Sequence, residues 1–322
     1  MKYYLAPLAD YTDAAFRKLC FAGGADRAYT EMVSAAALFH ENDARKVGAP
    51  QKTRHMLEKL PGEGDLVAQT FGSKEDELAY AAREISKLDR FIGLDLNAGC
   101  PMPRIIRNGE GAALCADPEK TFRCLKAMKA ETTLPLSLKT RPGPRPDKVL
   151  MMELLAAAQE AGCAEVTLHA RFTSQMHGGD VHLDLLAEFV QAARIPVIGN
   201  GSVRDVDAAT RMAETGVAAI MVGRGALGNP GVFNELKGLE GMSRKEAFEN
   251  HVVNLLELQA QIERNFPGEI TPSPDAIVAQ RLHTQLYRYF KGLPGAGELR
   301  RRLSEIRTLR EICGLASLFT PA

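Results

Sequence analysis

From Tyr3 to about Leu236, short apolar runs alternate with longer stretches whose apolar residues recur every three or four positions. Two periods in turn are what repeated strand–helix units around a parallel sheet produce. The runs predict strands near Tyr4–Leu8, Ala28–Met32, Leu66–Thr70, Gly93–Asn97, Leu134–Lys139, Glu165–His169, Pro196–Gly199 and Ala218–Val222. Leu-Val-Ala-Gln and Ala-Ile-Met-Val are apolar on both faces, which suits parallel strands covered by helices. The intervening helices include Glu75–Lys87, Met151–Ala161 and Val206–Thr215, with a last one around Pro230–Leu236. This succession matches a (β/α)8 TIM barrel, usually about 250 residues long. An open doubly wound sheet is the alternative.

After Gly238 no strand-like run remains. Ser243-Arg-Lys-Glu246 has the form of a capping box and opens a helix carrying Phe248, Val252, Leu255 and Leu256 on one side. A second helix runs from about Asp275 to Gly292 with the stripe Val278, Leu282, Leu286 and Phe290. A third carries Leu299, Leu303, Ile306, Leu309 and Cys313. The expected organisation is a catalytic barrel over 1–240 and a separate, smaller all-helical bundle over 241–322, divided at the Gly238–Met242 turn.

Composition narrows the class. With 45% hydrophobic and 25% charged residues, neither disorder nor a membrane protein is indicated, and no run approaches the ~20 apolar residues of a spanning helix. The N-terminus enters a strand pattern at once and lacks the apolar region of a signal peptide, so a cytoplasmic protein is expected. The six cysteines are scattered without a C-x-x-C pair, which predicts reduced thiols and no metal. Forty basic and forty acidic residues cancel. A nucleic-acid partner can therefore be met only by a local patch.

Gly93-Leu-Asp-Leu-Asn-Ala-Gly-Cys-Pro101 reads as a strand that stops at a thiol held between glycine and proline. Barrel enzymes place their chemistry just past the C-terminal strand ends. There this sequence carries Ala6-Pro7-Leu8-Ala9, Gln69, Asn97 with Cys100, Lys139 with Arg141, His169 with Arg171, Asn200-Gly201-Ser202 and Gly223-Arg224-Gly225. Each residue alone could be a loop amide, a solvated cation or a core histidine. Their recurrence at one relative place in successive units indicates a site. The two glycine turns end the seventh and eighth strands, where backbone amides often hold a phosphate. Gly223-Arg-Gly-Ala-Leu-Gly228 also satisfies G-x-G-x-x-G, but capped helices follow it instead of a strand closed by an acidic residue, against a dinucleotide fold.

Nearly the whole chain resembles the tRNA-dihydrouridine synthases. The resemblance rests on Ala6-Pro7-Leu8 with Thr12-Asp13, Thr30-Glu-Met-Val-Ser34, Leu96-Asn-Ala-Gly-Cys-Pro101, Gly109-Glu-Gly-Ala-Ala-Leu114, Lys139-Thr-Arg141, and His169-Ala-Arg171 with Gln175, besides the glycine turns. It implies bound FMN, NADPH as reductant, and reduction of uridine in tRNA with Cys100 as the proton donor to C5. Pro7, Leu8, Ala9, Gln69, Lys139, His169, Asn200, Gly201, Ser202, Gly223 and Arg224 are the cofactor-binding candidates. Asn97 and Arg171 are the candidates for holding the uracil edge. The sequence departs from the family pattern at Leu8 (usually methionine), Asp10 (glycine), Met102-Pro103-Arg104 (a small residue and lysines), Phe172 (threonine) and His177 (tyrosine). Arg281 and Arg288, seven residues apart on one predicted helix and extended by Lys291, are the expected tRNA contact, with Arg300 and Arg307 beside them. A monomer is expected. The competing readings are a dihydroorotate-dehydrogenase-like enzyme acting on a free pyrimidine, and a non-catalytic RNA-binding module.

Overall fold

Parallel pairing runs through the whole sheet of the computed structural model, which describes residues 1–41, 52–267, 269, 272–303 and 305–319. Its strands are β1 (Lys2–Leu5), β2 (Arg27–Tyr29), β3 (Val33–Ser34), β4 (Leu66–Phe71), β5 (Gly93–Asn97), β6 (Leu136–Thr140), β7 (Glu165–His169), β8 (Val197–Asn200) and β9 (Ala219–Val222). β1 lies between β2 and β9, the order continues from β9 down to β4, and β4 pairs with β2. That last pairing closes the barrel, so the open sheet is excluded. All eight expected strands are present with ends shifted by a few residues. β3 is an addition, a two-residue strand on β4, too short to leave a periodic signal.

Alternation along each strand sorts its side chains to two faces. Leu5, Ala28, Leu66, Ala68, Leu94 and Leu96 join the core beneath the helices, while Tyr4, Tyr29, Val67, Ile198 and Met221 fill the barrel axis. The helix Glu75–Ser86 shows the outer packing: Leu78, Ala81, Ala82 and Ile85 are buried in a stripe, and each buried leucine or isoleucine is worth about 1.5–3 kcal/mol. The register sets the functional strand ends level. Asn97 is opposite Lys139, and His169 is opposite Asn200.

The C-terminal helices differ from expectation in two ways. Arg244–Asn265 is one long helix, with Ser243 Oγ accepting from the Glu246 amide at 3.2 Å. The expected helix from Asp275 to Gly292, however, is an α-helix only over Pro274–Thr284 and a 3₁₀ turn over Leu286–Phe290. The break falls at buried Gln285. Its Nε2 leaves the bundle and donates to Asp10 O (2.8 Å) and Asp13 Oδ2 (3.0 Å) of the barrel. The third helix likewise divides into Ala296–Arg302 and Leu309–Gly314. The second difference is that the bundle is not separate: Ala14, Ala15 and Leu19 of the barrel's first helix and Leu60 share one core with Phe248, Leu282, Tyr289 and Phe290.

Candidate active site

Cys100 is held by its own backbone. Asn97, the last residue of β5, turns its Oδ1 back to accept from the Gly99 amide (3.0 Å) and the Cys100 amide (2.9 Å). The Cys100 carbonyl accepts from Ala112 N at 2.9 Å, and Arg141 Nε donates to Gly99 O at 2.7 Å. Gly111 explains one further motif: it has φ +57, and a Cβ there would lie 2.9 Å from Cys100 O and 2.7 Å from Ile105 Cγ2, so only glycine permits this approach. The thiol is half-buried. Burial pushes its pKa up, against the pull of the Met102 amide and the Arg141 and Lys139 charges, so it is protonated at neutral pH.

Around it opens a cavity of about 500 Å³ at the C-terminal ends of the strands, within the usual range for cofactor sites. Of the sequence candidates, Pro7, Leu8, Ala9, Gln69, Asn97, Cys100, Lys139, His169, Asn200, Gly201, Ser202, Gly223, Arg224 and Arg288 line it. Lys139 Nζ donates to Asn200 Oδ1 at 3.0 Å, and Asn200 Nδ2 to Met221 O at 2.7 Å, which locks the amide. Burial and the neighbouring Arg141 push the Lys139 pKa down, with Asp95 pulling the other way. His169 is held well below the usual histidine range by burial and then by the surrounding cations Arg141, Lys139 and Arg171. It is therefore a neutral imidazole at pH 7.

Where β8 and β9 end, Arg204 and Arg224 face the same space, and burial followed by the charge of Arg204 lowers the Arg224 pKa. Gly201 has φ +140, and a Cβ would meet Val181 at 2.7 Å, so the turn after β8 keeps its backbone bare. The whole lining carries Lys139, Arg141, Arg204, Arg224 and Arg288 against a single carboxylate, Asp10. Like charges crowded this way favour a polyanionic ligand. Among the described residues no group of histidine, cysteine and carboxylate side chains could hold a metal ion. No helix among them is long and apolar enough to cross a membrane.

Two candidates are placed away from the cavity. Arg171 follows a tight turn (its amide donates to His169 O at 2.6 Å) that sends the guanidinium beneath the next loop. There it donates to Gly179 O and Ser202 Oγ, both at 2.7 Å, and carries the loop that bears His177. Arg281 pairs with the buried Asp13 carboxylate at 3.4 Å. The break at Gln285 separates it from Arg288, which remains at the cavity mouth and donates to Tyr11 Oη at 2.8 Å. Of the departures from the family pattern, Leu8, Asp10, Met102 and His177 line the cavity, whereas Phe172 is buried against His182. Asp10 has φ +66 where glycine is usual. Sequence reasoning did not assign Arg204, Tyr11 or the buried Asp95 to the site. Asp95 was within reach, because it lies two residues before Asn97 and so on the same face of β5.

Comparison with known proteins agrees with this geometry. The family model described as dihydrouridine synthase (Dus) matches residues 4–318. A probable tRNA-dihydrouridine synthase of Aquifex aeolicus is 30% identical over 313 residues, covering 96% of this chain and 92% of that one. The tRNA-dihydrouridine synthase B of Klebsiella pneumoniae is 33% identical over 233 residues, 72% of this chain and 70% of that one. Among solved structures, morphinone reductase superposes with a TM-score of 0.51 at 12% identity, over 74% of this chain and 86% of that one, a likeness of fold. The match over nearly the full length, with the thiol turn and the cationic cavity on one rim of a closed barrel, makes this chain a member of the dihydrouridine synthase family.

Proposed function

We propose that the protein reduces uridine in tRNA to 5,6-dihydrouridine, with FMN as bound cofactor and NADPH as reductant. The observation that carries the reading is the pinned, protonated thiol of Cys100 on the rim of a cavity lined by five cations. The lining fits a flavin mononucleotide: Arg204, Arg224 and the bare backbone after β8 suit its phosphate, while Lys139, with Gln69, Asn200 and His169, suits an electron-rich ring. When bound, the flavin supplies the hydride that goes to C6 of the uracil.

The chain's own residues do the rest. Cys100 Sγ releases its proton to C5, and the raised pKa keeps that proton available at neutral pH. General-acid assistance of this kind contributes roughly 10²–10⁴-fold. Lys139, anchored by Asn200, supplies positive charge beside the reacting centre, and neutral His169 donates a hydrogen bond without adding a second charge. The target base must leave its stack to enter the cavity, and Arg288 with Tyr11 stands at the mouth to meet the RNA. The experiment is Cys100→Ala, measured in two half-reactions. Flavin content and flavin reduction by NADPH should survive, and dihydrouridine formation in tRNA should fall at least about 100-fold. An unchanged dihydrouridine yield would remove Cys100 from the mechanism. Cys163→Ala, a buried thiol elsewhere in the barrel, is the control.

A further inference from the structure

Inside the barrel, three side chains connect the strand interior to the thiol turn. Asp95 on β5 is fully buried, and its Oδ2 accepts from Gln69 Nε2 at 2.7 Å. Gln69 Oε1 accepts from Asn97 Nδ2 at 2.9 Å, and Asn97 Oδ1 accepts from the Gly99 and Cys100 amides. The direction of every link is determined. Backbone N–H groups can only donate, so Asn97 must turn its oxygen to them and its NH₂ to Gln69; Gln69 must then turn its own NH₂ inward. The chain therefore requires an acceptor at its inner end. Ser137 Oγ, 2.6 Å from Asp95 Oδ1 and 3.3 Å from Leu94 O, completes that end. Without an acceptor there, either primary amide could rotate and present NH₂ groups to the Cys100 turn.

We infer that Asp95 is a positioning residue for the proton-transfer step: by accepting from Gln69 it sets the donor direction through Gln69 and Asn97 that holds the Cys100 turn. The inference rests on the proposed role of Cys100. Asn, Val and Ala all remove the charge with which Asp95 raises the Lys139 pKa, so a comparison among the three isolates the acceptor. Asp95→Asn keeps the chain, since its amide oxygen can face Gln69 while its NH₂ donates to Ser137 Oγ. Asp95→Val, a β-branched side chain suited to a strand, and the smaller Asp95→Ala both remove the acceptor.

The test uses the flavin-loaded enzyme, with single-turnover uridine reduction in unmodified tRNA, flavin reduction by NADPH, and the rate of iodoacetamide alkylation at Cys100 read by peptide mapping. In the Val or Ala variant, uridine reduction should fall about 100-fold, the usual consequence of a reacting group misplaced by about 1 Å. Cys100 alkylation should rise about tenfold as the turn loosens, and flavin reduction should match that of Asp95→Asn within about threefold. Asp95→Asn should keep Cys100 alkylation within about threefold of the parent and reduce uridine about 100-fold faster than Val or Ala. The inference is overturned if Val and Ala behave like the parent, if Asn falls with them, if both half-reactions fall together relative to Asn, or if Val and Ala both fail to fold while Asn folds. Cys100→Ala in parallel separates the two claims: continued dihydrouridine formation there removes the thiol's role, whereas equal alkylation in parent and Val variant removes that of Asp95.

Discussion

Glu31 offers a quantitative test of the seam between barrel and bundle. It lies just past β2, is 6% exposed, and its Oε2 accepts from the Asp10 amide at 2.5 Å. Burial, and then the Asp13 carboxylate, push its pKa from 4.5 up to about 7, against the Asp10 amide bond and Arg281. A carboxyl whose folded pKa is raised prefers its proton in the native state. Its stabilisation is therefore complete below about 4.5 and is lost as pH rises through 7. The full shift corresponds to about 3 kcal/mol, of which about 1.4 kcal/mol falls between pH 6 and 9. Glu31→Gln mimics the protonated form, and its carbonyl oxygen can still accept from Asp10. The stability of the variant relative to the parent should thus increase by about 1.4 kcal/mol from pH 6 to pH 9. His251, whose burial lowers its pKa to about 4, has the opposite sense, losing stability as pH falls from 6.5 towards 4; its share between pH 6 and 9, about 0.8 kcal/mol, is common to both proteins and cancels in the difference. Lys139 titrates in both proteins and cancels in the difference. Urea unfolding of the holoprotein at four pH values measures the effect, and a difference that does not vary with pH would show that Glu31 is not proton-bound in the native state.

Arg224→Ala should raise the dissociation constant for FMN about tenfold, because one charge-assisted contact is lost while the backbone amides remain; equilibrium dialysis reads it, and equal affinity would mean that the guanidinium points elsewhere. Arg288→Ala should weaken tRNA binding and reduce its salt slope by about one, with stability within about 0.5 kcal/mol of the parent, as filter binding across a salt series and urea unfolding will show. Arg281→Ala should act differently. It unpairs the buried Asp13, which Arg281, against the cost of burial, holds below its ordinary pKa with His251, Gln285 and the Phe16 amide. The expected loss is about 1–3 kcal/mol of stability, and a variant as stable as the parent would place Arg281 among free surface cations.

How far the sequence reached can be followed residue by residue. The eight barrel strands were legible because each buries both faces and is separated from the next by a helix of different period. Cys100, Lys139, His169 and the two glycine turns were legible because a barrel brings every strand's C-terminal end to one rim, so position in the repeat stands in for position in space. The break at Gln285, the sharing of a core between the bundle and Ala14–Ala22, and the fate of Arg171 and Arg281 were not legible. Each depends on a partner far along the chain: Gln285 bonds to Asp10 and Asp13, Arg281 pairs with Asp13, and Arg171 turns to Gly179 and Ser202. Periodicity reports which face of an element is buried. What it is buried against, and whether a buried amide will leave helical geometry for a carbonyl far along the chain, is settled only when the two surfaces meet, because a buried polar group left unpaired is costly.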